Sequence, residues 1–172
     1  MNFYELLKAE GKTVQKSKNE HIFMQGEEDR SLYYVQSGLL KAYYTSDEGK
    51  EFVKSFISVN DIICSLTSAY SEDSCSFSLV CLQDSLIIRI PFPVLLEYSK
   101  EHHEIANNMI EVLLNFSMKK EKREYQFLCL SAEQRYRLLE KHSPNIVEQV
   151  TQNDIARYLG ITPVALSRIK NR

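Results

Sequence analysis

The sequence predicts an α+β fold: an antiparallel β unit in the first half, one long helix after it, and a pair of short helices at the end. Three observations lead there. Short runs rich in Val, Ile, Phe and Tyr are separated by glycine turns at Gly26, Gly38 and Gly49, a strand-and-turn rhythm. No Pro or Gly interrupts the chain between Pro93 and Pro144, which leaves room for a long helix. Around Gly160, caps, apolar positions and a proline follow in the order that two helices joined by a tight turn require.

The first region, residues 1–93, opens with an amphipathic helix over Asn2–Glu10, with Phe3, Leu6 and Leu7 on one side. Strands are predicted over His21–Met24, Leu32–Gln36, Leu39–Thr45, Glu51–Ile57, Ser76–Leu82 and Leu86–Ile90. The turn glycines fall 12 and 11 residues apart, the repeat of an antiparallel sandwich or barrel. Pro91 and Pro93 close the region. In the second region, residues 94–130, Ile105, Met109, Val112 and Phe116 keep the i, i+4, i+7, i+11 spacing of one helical face, and Leu113 broadens it. A helix over Glu104–Phe127 would be roughly 36 Å long at 1.5 Å per residue. Such a rod needs a partner along its length. The expectation is the same helix of a second copy, met through Ile105, Met109, Val112 and Phe116; packing on the β unit is the alternative. Lys119–Arg123 is expected to be charged and exposed. The third region, residues 131–172, begins with a helix over Ala132–Lys141 that turns Tyr136, Leu138 and Leu139 inward. A loop at His142–Asn145 and a short segment at Ile146–Val150 lead to the last two helices.

Composition narrows the function classes. With 44% hydrophobic and 26% charged residues, the chain has enough apolar material for a core and is not a disordered polyelectrolyte. No run of about 18 apolar residues exists to span a membrane. Residues 1–11 lack the basic start and long apolar stretch of a signal peptide. The expected location is the cytoplasm. Cys64, Cys75, Cys81 and Cys129 form no Cys-x-x-Cys pair and read as reduced, buried, small side chains. His102 and His103 are adjacent, so on a helix they point about 100° apart and read as a solvated face. No metal-ligand spacing, Ser/His/Asp order or phosphate loop stands out, and Asp61, Glu72 and Asp73 read as turn residues. Neither an enzyme nor a bound cofactor is predicted. Net charge is −2, but unevenly spread: residues 151–172 carry four Lys/Arg against one Asp. A positive end suits a polyphosphate partner.

The residues at that end carry the functional expectation. Thr151 caps the first helix, with Asp154 at the capping-box position usually held by Glu. Gly160 supplies the left-handed backbone that ends it. Thr162 caps the next helix, and Pro163 stands at its first position, where a missing N–H costs nothing. Ile155, Ala156, Leu159, Ile161, Leu166 and Ile169 face inward. Thr162, Pro163, Val164, Ser167, Arg168 and Lys170 then point outward, as on a helix that enters the major groove of DNA.

These residues give the chain a resemblance to the cyclic-AMP receptor protein and FNR-like family of bacterial transcription regulators. Phe23–Glu27, Leu32–Lys41 and Asp47–Lys50 look like that family's N-terminal β-roll. The long helix is similar to its dimerisation helix, and Asp154–Thr162 with Leu166–Ile169 resembles its helix-turn-helix. The resemblance implies a cyclic-nucleotide-binding-like β-roll over residues 1–93, a dimerisation helix and hinge over 94–130, and a DNA-binding unit over 131–172. It implies double-stranded DNA, a second copy of the chain and RNA polymerase as partners, with no effector identified. Arg168 matches the family's guanine-reading arginine. Val164 stands where the family often has Glu, and suits a thymine methyl instead. Thr151 and Gln152 are expected on phosphate.

The resemblance breaks at the nucleotide pocket. There Cys64 and Ser65 replace the family's Gly-Glu pair, and Cys75 replaces the arginine that holds the cyclic phosphate. The degenerate pocket would comprise Ile63, Cys64, Ser65, Cys75 and Ser76. No Lys or Arg lies between Lys54 and Arg89, and a buried phosphate wants a guanidinium fork. Binding of cyclic AMP or cyclic GMP is therefore not expected. Nor is an FNR-type iron–sulfur cluster, since no Cys precedes Cys64. The sequence ends three residues after Ile169, so no wing hairpin is expected in it. The competing expectation is a ligand-sensing protein-interaction module with a vestigial DNA-binding unit.

Overall fold

A computed structural model of the chain describes residues 2–171; Met1 and Arg172 lie outside the described residues. The β unit begins with helix α1 (Phe3–Glu10) and strands β1 (Lys12–Lys16), β2 (His21–Phe23), β3 (Ser31–Ser37), β4 (Leu40–Thr45) and β5 (Glu51–Ile57). It continues through β6 (Ile62–Ile63), α2 (Leu66–Ser71), β7 (Ser78–Cys81) and β8 (Ser85–Pro91). Helices α3 (Phe92–Glu101) and α4 (His103–Cys129) follow. The last part contains α5 (Ala132–His142), α6 (Pro144–Gln149), α7 (Gln152–Leu159) and α8 (Pro163–Lys170).

The strands form two four-stranded antiparallel sheets, ordered β1-β8-β3-β6 and β2-β7-β4-β5. Alternation along each strand sends one set of side chains between the sheets. Phe23, Tyr33, Val35, Leu40, Ala42, Phe77, Leu79 and Ile87 form that inner core. The first sheet is also covered on its outer face, which explains the nearly continuous apolar run Leu86–Ile90. There Leu32, Ile88 and Ile90 pack against Phe3, Leu6 and Leu7 of α1 and Leu95 of α3. The three turn glycines all adopt positive φ. At Gly38 the requirement is double, because a Cβ there would also stand 2.1 Å from the Ser85 hydroxyl.

Four elements were not legible in the sequence. Strand β1, Lys-Thr-Val-Gln-Lys, is an edge strand whose lysines protect an open edge, so it shows little apolar pattern. The two-residue β6 and six-residue α2 are too short for periodicity. Helix α3 places Pro93 in its first turn, where proline starts a helix instead of ending the strand region.

The long helix places Ile105 of the expected dimer face inside the protein. It runs for 27 residues, and its Ile105 is 0% exposed, sealed into the core under α1 and α3. Met109 and Phe116 pack against the same core. Ile105, Met109 and Phe116 therefore form the seam that fixes α4 to its own β unit, and a second copy cannot reach Ile105; Val112 is half-buried and lies outside that cluster. A different apolar stripe is uncovered: Ile110, Leu113, Leu114, Met118, Tyr125 and Leu128, the last 77% exposed. A helix with two apolar stripes gives a periodicity signal for both and does not say which faces inward. Arg123 also departs from expectation, being partly buried, not exposed. Of the cysteines, Cys64, Cys75 and Cys81 are buried, but Cys129, at the end of α4, is exposed.

Candidate nucleic-acid interface

The α7–α8 pair is built from local signals. Thr151 Oγ1 accepts from the Asp154 amide at 3.2 Å and caps α7. Gly160 ends it at φ 69°, and the Ile161 amide returns to the Ala156 carbonyl at 3.0 Å. Thr162 Oγ1 accepts from the Ala165 amide at 3.2 Å and starts α8, with Pro163 at its first position. Ile155, Ala156, Leu159, Leu166 and Ile169 are buried in one core with Tyr136 of α5 and Val150.

The opposite side is open. Thr151, Gln152, Thr162, Pro163, Val164, Ser167, Arg168 and Lys170 are all exposed, Val164 at 63%. Lys170 Nζ donates to Gln152 Oε1 at 3.1 Å, tying the end of α8 to the start of α7. Arg168 makes no hydrogen bond or ion pair within the protein among the described residues. Its guanidinium keeps all five donors for a ligand.

The buried side attaches the helix pair to the β domain, a connection the sequence did not reveal. Leu39, Phe56 and Leu82 of the β domain join the core under α7. Lys41 and Asp154, 8% and 7% exposed, pair across this junction at 2.9 Å. Glu51 lies 3.6 Å from the Lys41 ammonium and 2.5 Å from the Arg157 guanidinium. The result is a run of two cations and two anions from β4 and β5 to α7. Asp at position 154 makes sense here. Its Oδ2 accepts from the Thr151 hydroxyl at 3.1 Å, while its Oδ1 takes the Lys41 ammonium. The substitution of Asp for the usual Glu was the one available signal, and it named no partner.

The other end of α7 is held by α4 and α5. Arg123 donates to the Tyr158 carbonyl and lies 3.7 Å over the Tyr158 ring. Arg135 donates to the Leu159 carbonyl at 3.0 Å and the Leu130 carbonyl at 2.7 Å. Both guanidiniums face the Phe127 ring, at 4.4 and 4.6 Å. The last carbonyls of a helix carry partial negative charge, so two cations are well placed there. Burial pulls the Arg123 guanidinium below its usual pKa.

In the β domain, Ile63, Cys64, Ser65 and Cys75 are interior, whereas Ser76 is exposed. These residues lie in the segment just before β7, where Cys75 and Phe77 are buried and Ser76 between them is exposed. Ser65 Oγ lies 3.1 Å from Thr67 Oγ1. Burial pushes the Cys64 thiol up to about 12 and raises Cys75 as well. Lys54 reaches inward from β5 over the Phe77 ring, at 4.9 Å, and burial lowers its pKa. In the sequence Lys54 marks only the edge of a cation-free stretch, and nothing there shows that it turns inward. The Asp29 carboxylate accepts from the Tyr33 hydroxyl at 2.7 Å. Arg89 is engaged with Ser31 at 2.8 Å and with Asp29 at 3.8 Å.

Comparison with known proteins fits this layout. The family described as cyclic nucleotide-binding domain matches residues 13–102. The chain is similar to the regulatory protein HlyX of Actinobacillus pleuropneumoniae, 30% identical over 173 residues that cover 94% of this chain and 70% of that protein. It is also similar to electron transport regulator A of Shewanella oneidensis, 25% identical over 169 residues, covering 90% and 66% of the two chains. The chain spans about two thirds of the length of the curated relatives it matches. Among solved structures, FixK2 from Bradyrhizobium japonicum shares the fold, with a TM-score of 0.81 at 17% identity over 94% of this chain and 83% of that one.

Proposed function

This chain belongs to the Crp/Fnr family of transcription regulators, which carry a cyclic nucleotide-binding domain, and from that premise we propose that it is a dimeric, sequence-specific DNA-binding regulator that does not respond to cyclic AMP or cyclic GMP. The family consists of regulators, not enzymes. The observation that carries the DNA reading is the division of the helix pair into two faces. One face is spent on the core and the β domain; the other presents Thr162, Val164, Ser167, Arg168 and Lys170 to solvent. Arg168 suits the O6 and N7 of guanine, Val164 a thymine methyl, and Thr151 and Gln152 a phosphate beside the start of α7.

The second copy covers the open stripe of α4, from Ile110 to Leu128. Six large apolar side chains on one exposed face form the kind of patch that marks an interface. Paired α4 helices would set two α8 helices side by side, to read half-sites about 34 Å apart.

The cyclic-nucleotide reading is disfavoured by charge. A cyclic phosphate beside Cys64 and Cys75 would find no guanidinium fork there, because Arg89 is held by Ser31 and Asp29. It would also meet the Asp29 carboxylate, which acts on both thiols. The lone Lys54 ammonium is a point charge without that fork.

Selection of duplex DNA from a random pool tests the function. Enrichment of a two-fold symmetric site is expected. Replacing Arg168→Ala should weaken binding to that site about tenfold to a hundredfold, from the ~1–3 kcal/mol of one bidentate base contact. No enrichment, with Arg168→Ala indistinguishable from the parent, would sink the reading in favour of a protein-interaction module. Calorimetry with cyclic AMP and cyclic GMP should give no micromolar binding; clear micromolar heat would overturn the pocket assignment.

A further inference from the structure

We propose that Arg123 is a positioning residue through which the long helix α4 sets the angle of the recognition helix α8. This rests on the DNA-reading role assigned above. The contacts around Arg123 join three parts of the protein. Phe56 of β5 packs its ring 5.3 Å from the Tyr158 ring of α7. Arg123 of α4 also lies over the Tyr158 ring, at 3.7 Å, and over the Phe127 ring, at 4.4 Å. Arg135 of α5 lies over the same Phe127 ring, at 4.6 Å. The β domain, the long helix and the helix pair therefore meet at Tyr158, and Arg123 is the link contributed by α4.

The hydrogen bonds make the link directional. Arg123 donates to the Tyr158 carbonyl, and Arg135 to the Leu159 carbonyl, the two residues before the Gly160 turn. That turn is short: only Gly160, Ile161 and Thr162 separate the end of α7 from the start of α8. The Gly160 backbone is packed so closely on Phe127 that a Cβ would stand 3.0 Å from the ring. Moving Arg123 and Phe127 along or around the α4 axis thus displaces the α7 carbonyls, and α8 has no slack through which to ignore it. Arg123 is partly buried with its guanidinium on the Tyr158 carbonyl, and it is not among the exposed side chains of the open α4 stripe or of α8. Its use of both a planar fork and a cationic face is something Lys cannot reproduce fully.

The test uses the full-length chain and a set of duplexes carrying the selected half-sites at spacings altered by one and two base pairs. Arg123→Met should lower affinity for the preferred spacing about tenfold and leave the others nearly unchanged, so that the preference collapses. Arg123→Lys should restore about half of it on a logarithmic scale. Arg168→Ala, by contrast, should weaken binding at every spacing. In parallel, hydrogen exchange on the protein alone should speed up at Tyr158–Leu166 in Arg123→Met and stay unchanged in β3 and β8. A retained spacing preference in Arg123→Met, or unchanged exchange at Tyr158–Leu166, overturns the inference. A parent chain that selects no DNA overturns the regulator reading instead, and the exchange result still decides whether Arg123 holds the turn.

Discussion

Replacing Lys41→Met should be among the most damaging single changes in the β domain, although Lys41 is a strand lysine. Its ammonium is buried against Asp154 at 2.9 Å, with Glu51 at 3.6 Å and the Tyr43 ring beneath it at 4.9 Å. Methionine keeps the length and apolar stem but leaves the Asp154 carboxylate without its cation. Breaking a buried pair from one side costs about 3–5 kcal/mol. Here the Thr151 hydroxyl still serves Asp154, and Arg157 waits at 3.9 Å. The low end, about 3 kcal/mol, is therefore expected. For a chain of this size each kcal/mol moves Tm by roughly 2–4 °C, so Tm should fall by about 6–12 °C. Thermal and urea unfolding at one fixed protein concentration measures this, since self-association shifts apparent stability. The double variant Lys41→Met/Asp154→Leu should recover most of the loss, because both buried charges are then gone. A single-variant cost under about 1 kcal/mol, or a double variant no better than the single, would refute the claim that this pair is desolvated and locks α7 to the β domain.

Gly160→Ala combines a left-handed backbone with a Cβ 3.0 Å from Phe127, and a lower urea midpoint corresponding to about 2 kcal/mol is expected. Leu114→Glu should shift the chain from dimer to monomer in sedimentation while the fold survives, whereas Ile105→Glu should unfold it, because only Ile105 is sealed inside. Alkylation of the native protein at pH 8 should label Cys129 alone and denaturation should expose all four thiols, as read by mass spectrometry. Cys64, Cys75 and Cys81 have pKa values raised by burial, Cys64 to about 12. The unfolded chain therefore loses these protons first. Their contribution to stability is intact below about pH 9 and is lost as pH rises towards 12, so urea midpoints should decline across that window.

Much of the architecture was legible in the amino-acid order because it is locally encoded. The Thr151 cap, the Gly160 turn and the Thr162-Pro163 start each depend on residues within a few positions, and so does the outward face of α8. The strands bounded by Gly26, Gly38 and Gly49 follow from alternation and positive φ. What the order of residues could not decide was which surface meets which. Helix α4 has two apolar stripes, and only the packing of α1 and α3 shows that the Ile105 stripe belongs to its own β domain. Lys41 and Asp154 stand 113 positions apart, and Arg123 and Tyr158 stand 35 apart. Contacts over such distances leave no periodic trace, since a lone Lys, Asp or Arg reads the same in water as in a buried junction. Desolvation, which makes those pairs matter, exists only once the helix pair is folded against the β domain.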